Sequence, residues 1–324
     1  MLLPPFELHA PETVDEAVRL ARDLGAGTFD WIAGGTDLLP NYKWQLNARP
    51  NVISLHRIVS LRACGPERLG ALVRLREIEE SVALREALPV LPTTAAMIAS
   101  PLLRASGTLG GNLCLDTRCY YFNQGFSWRE SKGFCLKADG DVCLVVPQKE
   151  KCYATFSADL PAPLIALGAR VHLAGPDGAR EMPLKDFYRG DGIERNVRRP
   201  DEIVTFVDLP PSARRLRAAY TKLRLRESWD FPELGIAVAL RLDGDRLAEC
   251  HIVANALETT PRVLDDVAAP HLGKPLTDAA IDRIAADVED AVQPVKNTSY
   301  PPSYRKKMAR VYTRRALKRA RDGP

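Results

Sequence analysis

Ala33-Gly34-Gly35-Thr36-Asp37-Leu38-Leu39-Pro40 follows a short apolar run, Phe29-Asp30-Trp31-Ile32, as a strand breaking into a glycine turn would. Adjacent glycines let consecutive backbone N–H groups face one concavity, where a phosphate fits with no side chain in the way. Thr36 adds a hydroxyl donor. A second turn, Thr108-Leu109-Gly110-Gly111-Asn112, has the same character. Neither is the Gly-x-Gly-x-x-Gly fingerprint of a Rossmann unit, and neither carries the Gly-Lys-Ser/Thr of a nucleoside triphosphate loop. A single Gly-Gly pair is commonly a plain turn, but two such turns, each with Thr and a polar Asp or Asn, point to a pyrophosphate cradle.

Working outward, the pattern is α+β. Thr13 and Glu16 form a capping box, and Val14, Ala17, Val18, Ala21 and Leu24 share one helical face before Gly25. Asn51 to Leu55 reads as a strand, and an Ala-rich stretch, Thr93 to Arg104, leads to the second glycine turn. Further on come a helical face at Ala158 to Leu167, a strand at Arg170 to Ala174 ending in Gly175-Pro176-Asp177-Gly178, and a strand from Glu202 to Pro210. Pro210-Pro211-Ser212 marks a domain boundary, dividing the chain into 1–211 and 212–324. The second part offers strands at Ala218 to Leu223, Gly235 to Leu242 and Glu249 to Ala254, with an Asp243-Gly244 hairpin signal, then helices at 277–291 and 304–320.

The 324 residues are 46% apolar and 27% charged, which excludes a disordered chain and suffices for two cores. No window approaches the roughly 18–20 apolar residues of a membrane span. Met1 to Glu7 has no basic leader or apolar run, so the expectation is a cytoplasmic protein. Nine Lys/Arg fall between 305 and 324 against the single Asp322, while the remainder is mildly acidic. Tyr304, Met308, Val311, Tyr312 and Ala316 recur at helical spacing among those charges, so the tail reads as an amphipathic helix docked on the body or a partner. Nucleic-acid binding is the alternative.

Five of the seven cysteines lie between 114 and 152, among Tyr120, Tyr121, Phe122, Phe126 and Trp128. Cys119, Cys135, Cys143 and Cys152 have 15, 7 and 8 residues between them. No Cys-x-x-Cys pair is present, so the common zinc pattern is not met, whereas a 4Fe-4S cube can take thiolates from four separate loop positions. Buried free thiols are the bland reading. It suits Cys64 and Cys250, each alone, better than four cysteines in a polar insertion with little core of its own. Arg118, Lys132, Lys137, Lys149 and Lys151 are available to offset thiolate charge. The five histidines are scattered, and no Gly-x-Ser-x-Gly turn suggests a hydrolase. Lys222, inside an expected strand, must find an anion or a ligand edge.

Together, Ala33 to Leu38, Thr108 to Asn112, Asp159 with Pro161 to Leu167, and Lys222 to Asp230 resemble the FAD-binding medium subunits of molybdenum hydroxylases, the xanthine dehydrogenase and carbon monoxide dehydrogenase group. The resemblance runs in order over nearly the whole chain. It implies a two-part FAD-binding domain of the vanillyl-alcohol-oxidase-like type and a small α+β C-terminal domain. It also implies that Ile32, Ala33, Gly34, Gly35, Thr36, Asp37 and Leu38, with Thr108, Gly110, Gly111 and Asn112, hold the FAD pyrophosphate. Asp159 would lie toward the adenosine, and Ile98, Val204 and Lys222 along the flavin. The segment Ser157-Ala158-Asp159 departs from the family's Ser-Pro-x-x-Asp.

The insertion 114–155 resembles that of 4-hydroxybenzoyl-CoA reductase β subunits, which implies a 4Fe-4S cluster on Cys119, Cys135, Cys143 and Cys152, with Cys114 as a packing residue. Implied partners are a molybdopterin-binding large subunit, a small subunit with 2Fe-2S clusters and a ferredoxin-type donor, in a cytoplasmic dimer of heterotrimers without nucleic acid or membrane. The implied role is electron transfer for reductive dehydroxylation, with no catalytic acid, base or nucleophile on this chain.

Overall fold

Thr13 and Gly25 bound the first helix as the sequence predicts. The Thr13 hydroxyl accepts the N–H of Glu16, and Gly25 leaves the helix Val14–Leu24 at φ 84°. The reciprocal half of the cap is shifted by one residue, because the Glu16 carboxylate takes the N–H of Glu12. This helix links β1 (Glu7–His9) to β2 (Phe29–Ile32), and a short helix, Leu38–Lys43, lies between β2 and β3 (Asn51–Ser54). The three strands pair in parallel in the order β1-β3-β2, which requires such crossovers. The computed structural model describes residues 2–323.

A second, antiparallel sheet has the order β4-β7-β5-β6, from β4 (Arg68–Gly70), β5 (Arg170–Gly175), β6 (Gly178–Pro183) and β7 (Ile203–Asp208). Its hairpin turns at Gly175-Pro176-Asp177-Gly178. Leu69, Val171, Leu173 and Val207 from this sheet, Leu91 and Leu109 from helices, and Leu164 from the helix Pro161–Ala166 form the main core.

The third sheet runs β11-β10-β9-β8, with β8 (Arg217–Leu223), β9 (Leu234–Asp243), β10 (Arg246–Asn255) and β11 (Arg262–Val263). Both faces of β9 are covered. Ile236, Val238 and Leu240 join the core of the helices Asp278–Ala291 and Pro302–Asp322, whereas Ala237 and Ala239 join the main core beside the helix Pro161–Ala166. Burial on both sides explains the continuous apolar run of β9, where a half-exposed strand would alternate. The small alanines let the helix approach.

Two expectations need correction here. The terminal helix docks on its own body, but on a different face from the one predicted. Arg305, Ala309, Thr313, Ala316, Leu317 and Ala320 are buried, while Tyr304 is exposed and Met308, Val311 and Tyr312 are only partly covered. The packed stripe is centred on Arg305, three alanines, Thr313 and Leu317; of the expected face Ala316 is buried and Met308 and Tyr312 flank the core, so the phase is turned rather than lost. The second glycine turn is also a short helix, Leu109–Leu113, capped by the Thr108 hydroxyl on Gly111 N–H.

The insertion is closed at its neck by paired bonds between Arg118 and Thr155, each N–H donating to the other's carbonyl at 2.7 Å. It has one helix, Phe126–Ser131, and a small core of Leu46, Phe122, Ala138 and Ala154 packed with cysteines. The insertion has little core of its own, as expected, and completes it with Leu46 from outside and with the cysteines themselves. Cys250 is buried as expected, but Cys64 is exposed. Among the described residues no helix is long and apolar enough to cross a membrane.

Candidate functional site: a glycine cradle beside a nest of four thiols

The two glycine turns meet. A Cβ on Gly34 would fall inside the Ser106 carbonyl, and one on Gly107 would lie 3.5 Å from the Thr36 hydroxyl. Gly35 takes φ +69°, which turns the chain from β2 into the helix Leu38–Lys43. Among the described residues, the N–H groups of Gly34, Gly35, Thr36 and Asp37 donate to no protein acceptor. Four consecutive amides are thus left without a protein acceptor, the condition an anion-binding concavity requires.

The second turn works differently. Leu109 N–H donates to Val73, Gly110 N–H to Ala71 and Gly111 N–H to Thr108 Oγ1. Its amides are used within the protein, and Gly110 is small because Ala71 lies against it. Asn112 is buried and accepts the N–H of Leu160 through its side chain at 3.2 Å, which fixes the start of the helix Pro161–Ala166. This turn forms the wall against which the first one is set.

Asp159 and Lys222 are brought together. Lys222 Nζ donates to Asp159 Oδ2 and to the Met97 carbonyl, both at 3.0 Å, and Tyr220 OH donates to Asp159 Oδ1 at 2.8 Å. Both charged side chains are almost wholly buried. Burial pushes the Asp159 carboxyl up, against the opposing pull of Lys222 and Tyr220. Lys222 thus finds its anion within the chain. Gly235 makes room for the arrangement, since a Cβ there would strike Asn255 and Tyr220. Ile98 and Val204 are buried in the same core. Beside them, Trp229 and Phe231 stand exposed on the loop after β8, and Trp229 N–H reaches the Ala99 carbonyl.

Cys119, Cys135, Cys143 and Cys152 are all buried and line a single cavity with Tyr121, Phe122 and Lys137. Cys152 Sγ accepts the N–H of Ala154 at 3.4 Å. The N–H groups of Phe122 and Ala138 close turns on the carbonyls of Cys119 and Cys135, at 3.1 and 2.7 Å. Burial pushes the Cys119 thiol up to about 11. Cys143 is brought down to about 5, chiefly by the hydrogen bond from Cys152 and then by the backbone donors around it. Burial also pushes the Cys135 thiol up, and the hydrogen bond to Cys143 together with burial pushes Cys152 up, so at this site only Cys143 is favoured as a thiolate.

Gly192 presses on the same site, where a Cβ would meet Cys152 Sγ at 2.8 Å. Among the described residues no trio of Cys, His or carboxylate groups is arranged to hold a single metal ion. A zinc site draws its ligands to one point about 2.3 Å from each sulfur, so this spread of thiols does not fit zinc. Four thiols from separate loop positions are the donor set that an iron–sulfur cube takes.

The two sites are neighbours through Arg118, which sequence reasoning treated only as a counter-charge. Its guanidinium pairs with Asp37 of the glycine loop and lies over the Phe231 ring at 4.6 Å, while its backbone adjoins Cys119. Burial lowers it to about 10. From the other side, Arg129 of the insertion donates to the carbonyls of Trp44 and Gln45, just after the helix Leu38–Lys43. Acid–arginine pairing between sequence-distant loops leaves no local pattern, so no signal in the sequence marks it.

Residues 4–212 match the FAD binding domain in molybdopterin dehydrogenase, and 218–320 the CO dehydrogenase flavoprotein C-terminal domain. The chain belongs to the FAD-binding subunits of the molybdenum hydroxylase family. It is 28% identical to the carbon monoxide dehydrogenase medium chain of Afipia carboxidovorans, over 99% of this chain and 98% of that one. It is 30% identical to the aldehyde oxidoreductase FAD-binding subunit of Escherichia coli, over 74% and 78% of the two. The solved carbon monoxide dehydrogenase of Hydrogenophaga pseudoflava superposes with a TM-score of 0.80 at 27% identity, covering 99% of this chain and 98% of that one.

Proposed function

We propose that this chain is the electron-transfer subunit of a molybdenum enzyme that reductively removes the phenolic hydroxyl of 4-hydroxybenzoyl-CoA, giving benzoyl-CoA and water. In this reading it carries FAD and a 4Fe-4S cluster. The observation that carries the reading is the gathering of four buried thiols, Cys119, Cys135, Cys143 and Cys152, around one cavity. FAD lies in residues 1–211, with its pyrophosphate on Ile32 to Leu38 and beside Thr108, Gly110, Gly111 and Asn112. Ile98, Val204 and Lys222 lie toward the flavin; Asp159, bonded to Lys222 at 3.0 Å, lies with them and not at the far, adenosine end the resemblance implies. Residues 212–324 form the second domain. Bound, the flavin exchanges electrons in pairs or singly and the cluster singly.

The chain's own residues bind and orient. The Gly34 to Asp37 amides take the diphosphate charge, and the Asp159–Lys222 pair is preformed within the adjoining wall. The Ala154 amide on Cys152 and the Lys137 ammonium at the cavity wall favour thiolate charge. None of these groups moves a proton to or from the substrate. The substrate chemistry belongs to a molybdopterin-binding large subunit, reached through 2Fe-2S clusters on a small subunit. A ferredoxin-type donor feeds the complex, a cytoplasmic dimer of heterotrimers.

The full-length similarity to a carbon monoxide dehydrogenase medium chain favours a second reading, the same subunit type serving a different molybdenum hydroxylase. Assay of the purified complex separates the two. With a reduced low-potential dye, 4-hydroxybenzoyl-CoA should be consumed and benzoyl-CoA formed. Turnover of carbon monoxide, an aldehyde or an N-heterocycle, with none of the thioester, would establish the second reading instead.

A further inference from the structure

Most cations of the insertion are engaged away from the thiols. Arg118 pairs with Asp37, Lys132 and Lys151 lie over the rings of Trp128 and Tyr153, and Lys149 is exposed. Lys137 is different. Its side chain is 5% exposed and lines the four-thiol cavity. Its ammonium donates to Asp116 Oδ1 at 2.7 Å, to the carbonyls of Gly192 at 3.0 Å and Thr117 at 3.2 Å, and to the Thr117 hydroxyl. It also sits 4.5 Å from the Phe122 ring centroid.

Five neighbours around one ammonium hold it in a single place. Asp116 is equally committed. Burial opposes its ionisation, but Lys137 and Arg195 outweigh that and hold its carboxyl below the ordinary value. The site therefore has a fixed cation at the thiol wall and a fixed anion directly behind it, in surroundings where charge is weakly screened.

Resting on the four-iron reading above, we propose that Lys137 and Asp116 are the charge pair that sets the reduction potential of the centre held by Cys119, Cys135, Cys143 and Cys152. Reduction adds one electron to a body already ligated by four thiolates, and no bond forms or breaks. A cation at the wall favours the added charge and raises the potential, while an anion behind it offsets part of that effect. A residue that only braced the fold would have no sign. Here the two partners of one salt bridge act in opposite directions.

The test is an anaerobic potentiometric titration of the purified full-length protein in its complex, with dithionite as reductant and the paramagnetic signal of the reduced cluster as readout. Lys137→Met should shift the midpoint downward, Asp116→Asn should shift it upward, and Lys137→Arg should stay near the parent. Flavin content should be unchanged in all three. Shifts of the same sign in Lys137→Met and Asp116→Asn, or none in either, would overturn the proposal. Should Lys137→Met fail to retain iron, Asp116→Asn decides alone: an upward shift supports the proposal and a downward or absent shift overturns it. A parent protein with flavin but no iron would instead remove the four-iron reading and this inference with it.

Discussion

Gly34 has no room for a side chain, and this small fact sets the two turns against each other. Gly34→Ala forces the Ser106 carbonyl and the glycine loop apart, an overpacking cost of about 1–3 kcal/mol. The expected outcome is a lower Tm together with loss of bound flavin, measured as flavin per chain after gel filtration; retention of both would separate Gly34 from the cradle. Lys222 makes the opposite kind of prediction. Lys222→Met leaves Asp159 buried without its cation, which should cost about 3–5 kcal/mol in urea unfolding. Asp159→Asn combined with Lys222→Met should recover part of that loss, because no charge is then left unpaired. At this scale the sequence shows which residues are unusual. It does not show that Asp159 and Lys222 answer each other across 63 positions, or that Thr108 spends its hydroxyl on a helix cap.

The helix Pro302–Asp322 is legible as an element, and its docked face is not. Periodicity weighted by hydrophobicity selects Tyr304, Met308, Val311, Tyr312 and Ala316, whereas the face packed against β8 and β9 is Arg305, Ala309, Thr313, Ala316, Leu317 and Ala320, and Arg305 enters because each of its guanidinium nitrogens finds an acceptor. Its guanidinium donates to the carbonyls of Glu233, Val295 and Ala256 and to Asn297 Oδ1. Arg305→Ala should therefore destabilise the protein by about 3–5 kcal/mol, since it strands those buried acceptors. Arg310→Ala on the exposed face should stay within about 0.5 kcal/mol. Equal effects by chemical denaturation would contradict this phase of the helix.

Strand β10 offers a pH test. The hydrogen bond to Asp265, with help from Glu249, raises His251 above its ordinary 6.5. The folded state then holds the proton more tightly than the unfolded chain. That contribution is complete below about pH 6.5 and is lost as pH climbs through the raised value. His251→Gln should flatten this part of the Tm–pH profile, and an unchanged slope would show that His251 is not its source.

Across the whole molecule, the two-part division and the continuous run of β9 follow from patterning, because burial on one face or on two leaves a direct mark in composition. The cysteine-rich insertion is legible as an anomaly, yet its core and its placement are not, since both depend on distant partners. Asn297 is the clearest case. Its carbonyl accepts Tyr120 N–H beside Cys119, and its side chain donates to the Tyr153 carbonyl beside Cys152, while Arg305 holds it from behind. The C-terminal domain thereby braces both ends of the thiol nest, and Arg118 and Arg129 tie that nest to the glycine cradle.

One chain holding two redox centres side by side is the central claim. Combined flavin, iron and acid-labile sulfide analysis of anaerobically purified protein tests it most directly. The account predicts iron and sulfide in equal amounts, about four of each per flavin, as one 4Fe-4S cube requires. Yellow protein free of iron and sulfide, with the four thiols open to alkylation, would contradict it.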